Sequence, residues 1–316
     1  MRASFPVIIT FMTTHHFTPS HYHNTFGSHS PVLTLASGDS VITTTVDAAG
    51  FDAFGQKVAD GPNPQTGPFY IQDARPGDVL AVHLDALGPN RETGWTRTIL
   101  APNTLDPDRV KDLPPNEKAA WHMPPGSNQA TLTTPLPGLD GLVFELSPML
   151  GCIGVAPEDA QAISSATSGP YGGNLDYRGL VAGTTLYFPI FVPGALLHLG
   201  DGHALQGDGE VIGTGIETSF EVRFTVELLH GAAIQWPRGE NPDSIFTIGC
   251  ARPLDLALQF ATTEMLNWLT GPNYGLSIPA ASTLMGMAVE YELGNVYDPA
   301  YGMVCKMPKR ILALLK

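Results

Sequence analysis

The stretch TSFEVRFTVEL, residues 218–228, decides the fold class. Phe220, Val222, Phe224 and Val226 alternate with Glu221, Arg223 and Glu227, and period-two alternation over this length predicts a strand with one face in a core and the other in water. The same habit recurs upstream, in short apolar or β-branched runs at 32–36, 41–46, 69–72, 79–84, 151–155, 184–192 and 195–199. Turns such as Gly38-Asp39 and Pro76-Gly77-Asp78 separate the earlier runs, because Gly and Asp tolerate the backbone angles of tight turns. Downstream the period changes. Leu254, Ala257, Ala261, Met265 and Trp268 recur at spacings of three and four, with Pro253 suited to a first helical turn and Gly271-Pro272 to a stop. A second helical habit covers 279–293. The expectation is a mainly β protein: a β-rich core over 1–235 and a smaller C-terminal α/β portion over 236–316 packed on it.

At 316 residues the chain lies just above the ~250 to 300 at which single cores stop growing. Its formal net charge of −14 comes with no basic stripe, so the neutralisation of backbone phosphates that dominates nucleic-acid affinity is not available. Nucleic acid and anionic membrane are excluded as partners on that ground. Cys152, Cys250 and Cys305 are odd in number and form no CxxC, which suggests neither a disulfide framework nor a thiolate zinc site and fits a reducing, cytoplasmic compartment. The apolar run 5–12 has no small-residue cleavage pattern after it and reads as a buried strand rather than a signal peptide. No apolar run approaches the ~20 residues of a transmembrane helix. Residues 102–140 carry Pro107, Pro114, Pro115, Pro124, Pro125, Pro135 and Pro137 without sustained periodicity, as in a lid, a binding loop or an oligomer contact. With exposed β edges, this segment points to self-association in an even-numbered homo-oligomer.

The densest polar cluster is GDGHALQGDGE, residues 200–210, which follows an apolar run. If the chain is extended there, Asp201 and His203 point to one face, as do Asp208 and Glu210. A His with carboxylates fits the ligand set of zinc or a similar divalent ion, with an open position for a hydrolytic water. The competing reading is a Gly-Asp turn with His203 merely hydrogen-bonded. Asp47 after the run 41–46 and Asp176 in GGNLD are either turn and cap residues or members of a site assembled from distant segments. Glu217 is either a solvated edge residue or a buried carboxylate with the raised pKa that a general acid or base needs. His21-x-His23 places two imidazoles on one strand face, and Cys152 reads as a small buried thiol rather than a nucleophile.

Several segments together resemble the acetamidase/formamidase family. They are PVLTLASGDSVITTTV with Asp47 (31–47), NPQTGPFYIQDARPGDVL (63–80), GCIGVAP (151–157), GGNLD (172–176), the run 183–213 containing GDGHALQGDGE, GIE (215–217), residues 247–269 and the ending 302–308. The resemblance implies jelly-roll-like β-sandwich sheets with a smaller α/β portion. It also implies zinc-type, metal-dependent hydrolysis of formamide, acetamide or related amides, in some relatives γ-lactams, to ammonia and a carboxylic acid. Carried over position by position, Asp47, Asp176, Asp201, His203, Asp208, Glu210 and Glu217 match the family's recurring polar residues; the expectation built on that match is a metal held by Asp47, Asp201 and His203, with Glu217 or Glu210 moving the water's proton and Asp176 a further catalytic candidate. Backbone amides of Gly172-Gly173 are candidate oxyanion donors, and Phe188, Phe191 and Trp95 candidate walls of a tight pocket. Two departures stand out: His198 occupies a position that is small or hydroxyl-bearing in many relatives, and 102–140 matches no family motif. Two other readings stay open, a cupin-like metal enzyme of another reaction class and a non-catalytic ligand-binding β module.

Overall fold

The computed structural model describes residues 12–315, so the expected strand at 5–12 lies almost wholly outside the described residues. The chain is mainly β. One large sheet runs in the order Thr14–His16, Ser40–Thr44, Phe220–Leu229, Val79–Pro89, Thr185–Pro189, Arg238–Glu240, Ser244–Ala251, Tyr301–Pro308, Glu290–Leu293. The second runs from Val143–Glu145 through Gln129–Leu132, Lys118–His122, Thr93–Arg97, Glu217–Thr218, Leu197–His203, Met149–Gly154 and Gly172–Asn174 to Ser168–Gly169. Almost all pairs in the two sheets are antiparallel. The decisive alternation at 218–228 is observed: Phe220, Val222, Phe224 and Val226 are fully buried, while Glu221, Arg223 and Glu227 are exposed. Each such fully buried side chain contributes about 1.5–3 kcal/mol relative to exposure. They enter one core shared with Leu80, Val82 and Leu84, and with Leu197, Leu199, Leu150 and Ile153 of the second sheet.

Leu254–Thr270 forms the expected helix, capped by Pro253, and lays Ala257, Ala261, Met265 and Leu269 on the strands Ser244–Ala251 and Tyr301–Pro308. The next helical run is shorter than its pattern: the helix Ile278–Ala288 ends at Val289, and Glu290–Leu293 pairs as an edge strand with Tyr301–Pro308. Tertiary pairing overrides a propensity that four residues cannot enforce alone. The Pro-rich segment also differs from expectation. Lys118–His122 and Gln129–Leu132 extend the second sheet, short enough that a five-residue window hides their alternation between prolines. Among the described residues no helix is long and apolar enough to cross a membrane, and the three cysteines are free and buried.

Candidate active site

Strand register builds the centre. Leu197–His203 continues as strand through Gly200, Asp201 and Gly202, which the sequence places in a loop, and His203 stands opposite Glu217 across an antiparallel pair. Glu217 in turn stands opposite Trp95, so Trp95, Glu217 and His203 share one face of three neighbouring strands. Asp176 follows the short strand Gly172–Asn174, and Glu210 sits in the turns after the 200–206 stretch. Asp176, Asp201 and Glu210 all take positive φ (42°, 59° and 46°), a left-handed backbone that non-glycine residues adopt at a cost of order 1–3 kcal/mol each and that clusters at functional sites. Asp208 and Glu210 do not share a face: Asp208 pairs with Arg178 near the surface, and Glu210 is buried.

Asp176, Asp201, Glu210, Glu217 and Asp298 are all buried around the single imidazole of His203. The His203 Nε2 atom lies 2.9 Å from Glu217 Oε1 and 3.5 Å from Asp201 Oδ1, and neither approach has hydrogen-bond geometry. Both oxygens of Asp176, Asp201 Oδ1 and Glu217 Oε2 also lack partners. Asp201, His203 and Glu217 form one group of gathered ligand atoms, and Asp176, His203 and Glu210 a second. Gly151 provides the floor, because a Cβ there would fall 2.4 Å from Asp176 Oδ1 and 2.9 Å from Asp201 Oδ2. The imidazole itself is oriented. Gln206 Nε2 donates to the Asp176 carbonyl, which turns its Oε1 toward His203 Nδ1 at 2.7 Å. Nδ1–H is thereby committed, so it is Nε2 that can give up its proton and offer a lone pair to a cation gathered among the carboxylates.

The charges express one imbalance. Burial pushes Glu217 up to about 7 against the pull of His203, and pushes Asp298 up to about 6 against the hydrogen bond from Asn174. Burial, then Glu210, Asp298 and Asp201, hold Asp176 well above the carboxylate range, and burial does the same to Glu210. Burial alone would lower the His203 imidazole, but Glu217 and Asp201 outweigh it and raise it well above its ordinary value. Every shift asks for more positive charge than one imidazole carries, and buried carboxylates without a counter-charge take up protons or a cation. The unpartnered, converging donor set of one imidazole nitrogen and carboxylate oxygens fits a divalent ion of the zinc type.

A cavity of about 310 Å³ opens on this cluster, lined among others by Asp201, Glu210, Glu217, Asp298, Asn63, Asn174, Trp95, Arg97 and Lys118. Asp47 stands beside the cluster rather than in it. Its Oδ1 accepts from the amides of Ala49 and Phe51 and its Oδ2 from Arg91 and Trp95 Nε1, so its acceptor capacity is spent. Gly172 and Gly173 lie inside a paired strand and do not line the cavity, and Phe188 is core. Of the expected walls Trp95 lines the cavity. Cys152 is a buried thiol held against Asn174 Oδ1 and the Ser165 carbonyl, and burial with the charges of Asp201 and Asp176 pushes its pKa up, the wrong direction for a nucleophile. His21 and His23 do not reach this cluster. His23 stacks on His29, with ring centroids 3.9 Å apart, and packs edge-on to His198. Asp298, Arg97 and Lys118 carried no sequence signal, since each is an isolated charge in an irregular stretch or a short strand.

Residues 158–260 match the acetamidase/formamidase family. An acetamidase of known structure from Yersinia enterocolitica is 31% identical, with a TM-score of 0.83, and the superposition covers 96% of this chain and 94% of that one. The chain belongs to the acetamidase/formamidase family. A predicted acetamidase/formamidase from the thermophile Thermoanaerobacter tengcongensis is 28% identical at a TM-score of 0.82, covering 96% of this chain and 98% of its own. Curated relatives include an acetamidase from Mycolicibacterium smegmatis, 28% identical over 60% of this chain and 58% of its own length, and a formamidase from Methylophilus methylotrophus, 33% identical over 46% of each. This family member therefore spans about half the length of the curated relatives it matches. A γ-lactamase from Delftia acidovorans, 20% identical at a TM-score of 0.58, shares the acetamidase/formamidase fold.

Proposed function

We propose that this chain hydrolyses the C–N bond of small amides to ammonia and a carboxylic acid, with Asp201, His203 and Glu217 holding a divalent cation of the zinc type. One observation carries the reading: converging, unpartnered carboxylate oxygens surround the free Nε2 of an oriented imidazole, at the floor of a cavity in a family of amidases. When bound, the cation supplies Lewis acidity, lowering the pKa of a water and offsetting charge on the amide oxygen. Gln206 keeps His203 in the tautomer whose Nε2 is free, and Gly151 lets the Asp176 and Asp201 carboxylates approach from behind. Glu210 faces the cavity and is raised by burial, so it takes the proton of the attacking water and returns it to the leaving nitrogen. Asp176, also raised by burial but outside the cavity lining, exchanges protons with Glu210.

The test is ammonia release from formamide and acetamide, followed in metal-replete protein, after chelation and after zinc is restored. Release that disappears on chelation and returns with zinc supports both the reaction and the cation. Failure of metal-replete protein to release ammonia from either amide, or from a wider amide and lactam panel, removes the amidase reading. Release that chelation leaves unchanged removes the cation from it.

A further inference from the structure

The cavity is not lined by acids alone. Arg97 and Lys118 stand directly opposite each other on neighbouring antiparallel strands, and both line the cavity that opens on the cluster. Like charges in directly opposed positions destabilise a sheet. Among the described residues neither side chain has a carboxylate at ion-pairing distance. Asp47, the first acid to act on Lys118, is already saturated by Arg91, Trp95 and two backbone amides. Lys118 instead lies with Nζ 3.3 Å from the centroid of the Trp95 ring. A cation–π contact contributes about 0.5–1 kcal/mol at an exposed site, and Lys118 is exposed, so its ammonium stays open to an anionic partner entering the cavity. Burial and the Arg97 charge both lower the Lys118 pKa, against Asp47 and Glu217.

Size points the same way. A cavity of about 310 Å³ falls within the ~300 to 1,000 Å³ of sites that hold small-molecule ligands. Formamide and acetamide have three and four non-hydrogen atoms and leave most of that room unfilled, against the tight pocket expected for them.

We propose that the preferred substrate is a short amide carrying a carboxylate at its far end, whose carboxylate binds between Arg97 and Lys118 while its amide reaches the Asp201–His203–Glu217 centre. This rests on the amidase reading above and narrows it to the mono-amides of short dicarboxylic acids. The arginine offers a planar pair of donors and the lysine a point charge, so one carboxylate satisfies both and removes their mutual repulsion. The bond cleaved is unchanged: water oxygen joins the acyl carbon, the C–N bond breaks and the nitrogen leaves as ammonia, with the distal carboxylate untouched.

Succinamate and succinamide decide the matter, because they differ only in a carboxylate against a neutral amide of the same shape. Steady-state ammonia release from each, beside acetamide, is measured in metal-replete protein. The expected kcat/KM ratio of succinamate to succinamide is at least tenfold, and it falls at least tenfold in Arg97→Met and in Lys118→Met, mainly through KM, as loss of a charge-assisted contact requires. Retention of much of the ratio in Lys118→Arg and its loss in Lys118→Glu would tie the effect to charge. Equal or better turnover of succinamide and acetamide overturns the proposal while leaving the amidase reading intact, as does turnover of formamide with none of the three; no ammonia from the three, from formamide or from the wider panel overturns the amidase reading itself. Should the methionine variants fold poorly, competition by succinate in the unmodified protein decides the same point. Succinate inhibiting at least tenfold more tightly than succinamide competes supports the site, and equal weak inhibition sinks it.

Discussion

His203 and Glu217 face each other across an antiparallel strand pair, yet at 2.9 Å the imidazole nitrogen and the carboxylate oxygen do not make a hydrogen bond. Together with Asp201 the two offer one nitrogen and carboxylate oxygens gathered closely enough to serve a single cation. Glu217→Gln keeps the shape and removes the charge. Zinc content per chain, measured after dialysis against a weak chelator, is expected to fall at least tenfold, and amide turnover by at least a hundredfold, as for loss of a direct ligand rather than of an outer partner. Full zinc retention in Glu217→Gln would leave this carboxylate with a proton-transfer role only.

Asp47 separates structural from ligating carboxylates. Its side chain is buried and paired with an Arg91 that is itself largely buried, and it closes the turn through the amides of Ala49 and Phe51. Arg91→Met leaves that charge unpaired, which costs about 3–5 kcal/mol for a buried pair. Urea unfolding should report that loss, with zinc content per folded chain unchanged in both Arg91→Met and Asp47→Asn. Asp47→Asn protein that folds stably but loses its zinc would make Asp47 a ligand.

The two residues show how far the sequence reaches. Alternation at 218–228 and the three-and-four spacing after Pro253 express forces that act within one element, so both the buried face and the helix were legible. GDGHALQGDGE was legible as a polar cluster because its residues are consecutive. Which acid faces His203 depends on register between strands, and a shift of one residue would turn Glu217 to the other face. The pairing of Asp47 with Arg91, 44 positions apart, and the opposition of Arg97 to Lys118 are likewise properties of pairing. Alternation within any one segment does not encode them. Short strands between prolines, such as Lys118–His122, carry too few periods to be read at all.

Gly151 tests whether the acids must be crowded. An added Cβ would meet Asp176 Oδ1 at 2.4 Å and Asp201 Oδ2 at 2.9 Å, and both carboxylates belong to buried residues with little room to retreat. Gly151→Ala is expected to cost about 1–3 kcal/mol of stability as an overpacked site. It should also lower turnover at saturating zinc by far more than its effect on the folded fraction. Turnover that falls only in proportion to folded protein would show that the position of Asp176 and Asp201 is not critical.

Glu292 supplies a pH dependence from outside the acid cluster. Burial alone would raise its carboxyl, but Lys306 and Tyr177, each donating at 2.7 Å, outweigh burial and hold it below the ordinary carboxylate range. A folded-state pKa below the unfolded value of about 4.3 means the ionised form is preferred in the native state. The resulting stabilisation is complete above that unfolded value and is lost as pH falls through the lower folded one. Glu292→Gln should therefore lower stability at pH 6 and flatten its decline between pH 5 and pH 3, so that the curves for the two proteins converge in acid. The comparison is of unfolding free energies from urea titrations at matched pH; curves that stay parallel down to pH 3 would show that Glu292 titrates alike in the folded and unfolded chain.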